Sequence, residues 1–325
     1  MYRNHRQLIQ HQQTQEQTQL QSQAQSQPSS IDSTIRPIDM VANLIYQDEY
    51  ISAATDYLST RNIHQPSTYP FVRTPSVLPP SFNSLLSYFN RYQVEALSDA
   101  LIMPVPSIAN PRLLAGFSIR YLGSSPTRNR YMTMKADPSN ILCYLTQPLV
   151  SSTSNKLQFN EFPHNLLSPI YHGDSKPIFI TEAIIDAESL TQATGYLAIS
   201  FLSALFQPQL LYWLFSIGTE FIFAMDNDVA GDRCFSKYRE LFTQFTTSLR
   251  QSCDYLINTV PSVQPITAGV NPLSTITGTE ALALKSHLDS IHFSRMSFPC
   301  KDINECLKNF GPEFLKSQCD LYIRH

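Results

Sequence analysis

Three acidic residues in this chain have the types and spacing for metal-dependent chemistry. Asp226 and Asp228 stand two apart after the apolar run Phe221-Ile-Phe-Ala-Met225, and Glu182 follows a similar run, Pro177-Ile-Phe-Ile-Thr181. Residues two apart in extended backbone point the same way, so the two aspartates present their carboxylates together. Carboxylates gathered at a strand end suit a hard cation such as Mg2+. Without one, neighbouring like charges would raise each other's pKa. With one, the site could orient phosphates and neutralise charge during attack on a phosphoryl group. Asp186 falls four residues after Glu182, in the first turn of the next helix, within reach of the same cation or its water; the alternative is a favourable charge at a helix N-terminus. The alternative for Asp226 and Asp228 is a polar turn with an Asx-type cap. Asp232 reads as a cap rather than a ligand.

The elements that must position these residues alternate between strand and helix. Strands are expected at 177–182, 196–201 and 221–225, and helices at 184–193, 209–215 and from about Asp232 to Leu256. Such alternation implies an α/β domain with a mostly parallel sheet covered on both faces. Ligand groups in such folds gather at the carboxyl ends of strands, where Glu182, Asp226 and Asp228 are expected. A turn-rich stretch, 261–279, reads as an excursion near 257–280. A helix at 280–288, a strand at 291–293, the segment Lys301-Asp-Ile-Asn304 and a short helix at 305–309 follow.

Upstream, residues 1–36 are Gln-rich and have little to bury, which predicts a disordered tail. Residues 37–64 look helical, with an end near Asn62, and Pro66 to Pro80 reads as a connection. Phe82 to Leu97 has helical spacing. Four apolar runs, 101–105, 113–122, 130–134 and 141–149, predict a small sheet-based subdomain. Arg120 lies inside the second run, where a charge is more informative than in a loop; an outward-facing surface arginine is the alternative. Residues 151–175 read as a boundary. The resulting division is 37–165 and 170–325.

Composition sets the outer limits. A chain of 325 residues with 42% hydrophobic content has room for about two domains. A net charge of −3 excludes a basic coat protein but allows a local basic patch. The six cysteines form no CxxC pair, so no zinc is expected. No apolar segment follows Met1, and the run from Leu205 to Ile217 is broken by Gln207, Pro208 and Gln209; neither a signal peptide nor a membrane span is expected. That favours a cytoplasmic or nucleoid location, with an organelle as the alternative.

Taken together, Glu182 with Asp186, then Asp226-Asn-Asp-Val-Ala-Gly231, then Lys301-Asp-Ile-Asn304 resembles the Toprim domain of bacterial and phage DnaG-type primases and primase–helicases. The resemblance implies a Rossmann-like Toprim fold preceded by a small α+β primase-type subdomain. It also implies Mg2+ or Mn2+ held by Glu182, Asp226 and Asp228, with Asp186 and Asp302 as further acidic positions. Upstream, Tyr57-Leu-Ser-Thr-Arg-Asn-Ile63 is similar to a leader helix of that family, and Pro104 with Gly116-Phe-Ser-Ile-Arg120 is similar to its amino-terminal subdomain. Arg120, Arg130 and Lys176 take the role of basic residues that steady template or nucleotide phosphates. The implied activity is synthesis of short RNA primers on single-stranded DNA from NTPs, with a replicative helicase or a separate zinc-binding module as partners. A degenerate nucleic-acid-binding scaffold and a Toprim-type nuclease are the alternatives. Two departures stand out: Ala183 occupies a position usually held by Gly, and Asn304 one often held by an acid.

Overall fold

The computed structural model describes residues 36–64, 66, 69–107, 113–124, 130–137, 142–146, 177–202, 208–259 and 278–323. The expected tail, the boundary at 151–175, Lys176 and most of the excursion lie outside the described residues. From Pro37 onward the chain forms one compact unit.

The first half is built on a four-stranded antiparallel sheet. Helices α1 (Pro37–Ile45) and α2 (Asp48–Ser59) precede β1 (Val72–Arg73). A 3-10 segment, Pro80–Ser87, and a short α3 (Arg91–Glu95) lead into β2 (Ala100–Pro106), β3 (Leu114–Tyr121) and β4 (Tyr131–Lys135). The strand order is β1-β2-β3-β4. Alternation along β2 divides its side chains between two cores. Ala100 and Ile102 join α1 and the 3-10 segment, while Leu101, Met103 and Val105 face the other way, toward Tyr144, Ile184 and Ile185. The second group seals this sheet against the other half of the molecule.

That half is a five-stranded sheet in the order β5-β7-β6-β8-β9, formed by β5 (Tyr144–Leu145), β6 (Ile178–Thr181), β7 (Leu197–Ser200), β8 (Glu220–Phe223) and β9 (His292–Arg295). All pairings are parallel except β5 with β7. Helix α4 (Ile184–Thr194) links β6 to β7, and α5 (Pro208–Ile217) precedes β8. Then come α6 (Val229–Thr259), α7 (Gly278–Asp289), α8 (Ile303–Phe310) and α9 (Pro312–Asp320). The near-continuous apolar content of β8 reflects burial on both faces. Phe221 and Phe223 meet α5, α6 and α7 through Phe215, Phe242 and Leu284, whereas Ile222 and Ala224 meet α4, α8 and α9 through Leu190, Leu307 and Leu315. Burial of each such large side chain contributes roughly 1.5–3 kcal/mol.

Several boundaries differ from the sequence reading, each for a local reason. The single helix expected over 37–64 is two helices, because Gln47 is extended (φ −107, ψ 143) and starts a new helix whose first turn holds Asp48 and Glu49. Its far end does fall near Asn62, which adopts the left-handed conformation at φ 57. The helix expected over 82–97 breaks because Asn90 and Gln93 form a capping box that begins α3 afresh. The run at 141–149 joins the large sheet rather than the small one, and the small sheet takes its fourth strand from Val72–Arg73, inside the expected connection. Among the described residues no helix is long and apolar enough to cross a membrane, and all six cysteines are free thiols.

Candidate active site

The acidic cluster is assembled by the parallel strands. β6 delivers Glu182 and its neighbour β8 delivers Asp226 to the same edge. The main-chain N–H of Asp226 donates to Glu182 Oε1 at 3.3 Å. Asn227 turns the other way and pins the turn: its N–H donates to Lys301 O at 2.6 Å, and its Nδ2 donates to Phe298 O at 2.9 Å. The central Asn of Asp-Asn-Asp therefore ties the turn to the loop before α8 and leaves the flanking aspartates free to face outward.

Asp228 has two tasks. Its Oδ1 accepts from the N–H groups of Ala230 (2.9 Å) and Gly231 (3.0 Å), which caps α6. Helix α6 accordingly begins at Val229, not at Asp232 as expected, and Asp232 instead pairs with Arg295. Arg295 also donates to Asp226 O at 3.1 Å. The cap alternative for Asp228 thus holds for one oxygen. The other, Oδ2, lies 3.8 Å from Lys301 Nζ, which is 4.0 Å from Asp226 Oδ2. One ammonium group faces both carboxylates.

Among the described residues, no three histidine, cysteine, aspartate or glutamate side chains are drawn together closely enough to hold a metal ion as they stand. The donor set nevertheless fits a hard divalent cation. It consists of carboxylate oxygens, and Lys301 already marks a point where a positive charge meets Asp226 and Asp228 together. The Lys301 side chain is 61% exposed, so the pairing contributes little to stability and the ammonium can swing away.

Electrostatics describe a site short of positive charge. Burial, then the charge of Asp226, raises the pKa of Glu182. Burial, then Asp302, raises that of Asp226. Asp228 moves down, chiefly because the Gly231 N–H bonds its carboxylate. Asp186 is 7% exposed, and burial followed by the charge of Asp302 pushes it up to about 8. Asp302 itself caps α8 by accepting from Glu305 N at 2.7 Å.

The Asp186 shift has a pH consequence. Its folded pKa lies above the unfolded value, so the folded state holds the proton more tightly. The resulting stability is fully present below the unfolded pKa and is lost as pH rises through about 8. Thermal unfolding in chelator should show Asp186→Asn overtaking wild type by several degrees between pH 5 and pH 8.5. A constant offset across that range would remove Asp186 as the titrating group.

Asn304 fills an unforeseen role. It is 2% exposed; its N–H donates to Asp186 Oδ1 (3.0 Å), and its Nδ2 donates to Arg61 O and Ser189 Oγ, each at 2.8 Å. Its Oδ1 accepts from Arg61 Nη1 at 3.2 Å. An acid could not make the two Nδ2 donations. The amide thus latches the segment after α2 onto the large-sheet half and fixes Arg61 beside the site. Asn304→Ala leaves buried partners unsatisfied and should cost about 2–3 kcal/mol in denaturant unfolding; a loss under about 0.5 kcal/mol would deny the latch.

The basic residues come from the small sheet. Ser118 and Arg120 alternate with Phe117 and Ile119, so they point away from the α1 core and toward the carboxylates. A cavity of 580 Å³ has Glu182, Asp186, Asp226 and Asp302 on one side and Arg61, Arg120 and Arg130 on the other. Asp228 does not line it and joins the site through Lys301. Arg120 is 6% exposed, and its guanidinium lies 5.5 Å from the Tyr131 ring centroid. The outward-facing alternative for Arg120 is therefore excluded. Lys176 lies outside the described residues. Arg61, Arg295 and Lys301 were not among the candidate site residues, although Arg61 and Lys301 sit in segments whose pattern drew attention. Ala183 is extended at φ −119 and ψ 152, a conformation that needs no glycine.

Residues 179–255 match the family described as Toprim-like. No curated protein matches the chain. Among solved structures, the DnaG primase catalytic domain bound to ssDNA is similar at 12% identity and TM-score 0.50, covering 89% of this chain and 80% of that one. A DNA primase domain from Pseudomonas aeruginosa is similar at 13% identity and TM-score 0.50, covering 88% and 77%. The DnaG catalytic core gives 12% identity and TM-score 0.50, covering 88% and 79%. The chain thus has a Toprim-like segment and the mixed α/β fold of a primase catalytic core.

Proposed function

We propose that this protein is a primase-type nucleotidyltransferase that makes short RNA primers on single-stranded DNA. The observation that carries the reading is the single cavity in which Glu182 and Asp226 face Arg61, Arg120 and Arg130, with Asp228 joined to Asp226 through one cation position. Carboxylates opposite guanidinium groups are what phosphoryl transfer needs: a place for cations on one side and a grip on phosphates on the other. A solved neighbour of this fold is bound to ssDNA, which supports the same substrate class here.

In this reading the 3′-hydroxyl of one nucleotide attacks the α-phosphorus of an incoming NTP. A new P–O bond forms, the bond to the β-phosphate breaks, and pyrophosphate leaves. Glu182, Asp226 and Asp228 would hold Mg2+ or Mn2+, with Asp186 and Asp302 around them; the bound cation would neutralise the phosphoryl oxygens and lower the pKa of the attacking hydroxyl. Arg120 and Arg130 steady phosphates of the nucleotide or template, and Arg61 is fixed beside them by Asn304. Lys301 releases the aspartates when a cation arrives and becomes available to a phosphate. The partners of the reading are single-stranded DNA and NTPs, with a replicative helicase or a separate zinc-binding module supplied in trans, and its setting is the cytoplasm or nucleoid.

The test is primer synthesis from labelled NTPs on single-stranded DNA with Mg2+ or Mn2+, for wild type beside Glu182→Gln. Short labelled RNAs from wild type alone support the reading. A shortened template would move it to a nuclease. Unchanged strands, with helicase and zinc module supplied, would leave a nucleic-acid-binding scaffold.

A further inference from the structure

A second cavity, of 470 Å³, adjoins the first and has a different character. It is walled by Arg61, Arg73, Arg120 and Arg130 around Tyr57, with Leu122 to Ser124 along one edge. None of the three core carboxylates lines it, and among the described residues none of these four arginines meets a carboxylate within salt-bridge distance. Arg61, Arg120 and Arg130 belong to both cavities; Arg73 lines only this one. The Tyr57 ring meets two guanidinium groups, with its centroid 5.5 Å from Arg61 and 6.0 Å from Arg73. It holds them in place through cation–π contacts and without neutralising their charge. Arg120 is nine-tenths buried. The charge of Asp186 reaches it, but among the described residues no direct ion pair satisfies its guanidinium, and a buried charge left without such a partner is costly unless an anion supplies one.

We propose that this pocket binds the 5′-triphosphate of a nucleotide, apart from the phosphates that react beside the carboxylates. Charge density favours a polyphosphate over a passing strand. A strand carries one charge per phosphate, one for about every 3.4 Å of helix axis on each strand of a B-form duplex and farther apart through space, so a cavity this small meets only a few of its charges. A 5′-triphosphate concentrates three phosphoryl groups on one chain end, the terminal one alone carrying about −1.5 to −2 at pH 7. Forked guanidinium groups are suited to such oxygens.

The chemistry of initiation supplies a need for such a site. When two nucleotides are joined, the one that offers its 3′-hydroxyl keeps its own triphosphate intact. That triphosphate must lie away from the carboxylates while the hydroxyl lies toward them. Two cavities sharing an arginine wall provide this arrangement. The identity of the nucleotide rests on the primase-type reading; the capture of triphosphate rests on the arginines alone.

The binding test uses Asp226→Asn/Asp228→Asn protein in chelator, so that the metal site cannot be the binder. The probes are inorganic tripolyphosphate, an NTP, the matching nucleoside monophosphate, a dinucleotide with and without a 5′-triphosphate, and oligo-dT. Tripolyphosphate and NTP should bind well ahead of the monophosphate. Arg73→Met should weaken both about tenfold and change oligo-dT binding less than twofold, while Arg73→Lys should recover part of the loss. Preference for the NTP would identify a free initiating nucleotide, and preference for the triphosphorylated dinucleotide the 5′ end of a primer; either supports the pocket. Arg73→Met weakening oligo-dT as much as tripolyphosphate would overturn it in favour of a strand path. So would the absence of tripolyphosphate binding by the folded parent protein, as judged by its thermal unfolding. If wild type synthesises primers, Arg73→Met should raise KM for the first nucleotide and leave extension of a supplied primer unchanged. Absence of synthesis would count against the primase reading while leaving the binding result to decide the pocket.

Discussion

Asp226→Asn/Asp228→Asn is expected to lower primer synthesis by at least about a thousandfold, with the fold intact. The change keeps size and shape and removes the two negative charges that face one cation position. Cation-mediated stabilisation of a phosphoryl-transfer transition state is worth several kcal/mol, and about 4 kcal/mol corresponds to a thousandfold. The two residues differ in what else they do. Asp228 also caps α6 through Oδ1, a role asparagine fills as well as aspartate. Asp226 organises the turn through its main chain, which the substitution spares. The double variant should therefore melt close to wild type, and in metal-free buffer slightly above it, since Asp226 no longer meets the charge of Asp302. Isothermal titration with Mn2+ should show its cation binding weakened alongside synthesis. Retained synthesis would exclude the paired aspartates from the chemistry; lost synthesis with unchanged Mn2+ binding would move the cation elsewhere.

The second large effect is structural. Gly231 lies in the first turn of α6, directly under the acidic turn, and a Cβ built there would stand 1.9 Å from Asp226 O and 2.8 Å from Asp226 C. In most helices Gly→Ala is favourable by about 1 kcal/mol. Here the obstruction is backbone, which cannot rotate aside, so overpacking outweighs propensity and Gly231→Ala should destabilise by on the order of 3 kcal/mol. At roughly 2–4 °C per kcal/mol for a chain of this size class, the unfolding midpoint should fall by about 6–12 °C. Mn2+ affinity should fall with it, because the turn that moves carries Asp226. An unchanged or raised midpoint would mean that α6 can pivot away from the turn.

The last motif residue, Gly231, thus acts through packing rather than backbone freedom, and it was legible because Asp226 and Gly231 belong to one continuous strand–turn–helix. The same holds for Glu182 and for the parallel core: alternating apolar runs dictate burial on both faces, and strand ends dictate where the acids meet. What could not be read lies where partners are remote in sequence. Val72–Arg73 makes a strand of two residues, too short for any periodicity, and exists only because β2 supplies its partner. The run at 141–149 gave no sign of which sheet it would join, because pairing with β7 depends on tertiary placement. Asn304 read as a missing acid, since its value lies in two amide donations to Arg61 and Ser189. The reading of Asp232 as the cap is displaced: the cap is Asp228, four residues earlier, for which capping stands as the alternative.

The latch between Arg61 and Asn304 spans 243 positions of sequence. During synthesis the ribosome must therefore deliver nearly the whole described chain before Arg61 can be fixed beside the site. The small sheet can pair its strands early, because β2, β3 and β4 are close in sequence. The turn that carries Asp226 and Asp228 waits for the loop that pins Asn227, and Arg61 waits for α8. Long-range closure of this kind is slow compared with local pairing. A nascent or truncated chain lacking residues from Ile303 onward would therefore carry every candidate ligand and arginine yet leave Arg61 unlatched and Asp186 without the N–H of Asn304, so the last part of the site to be fixed arrives as a late step of folding.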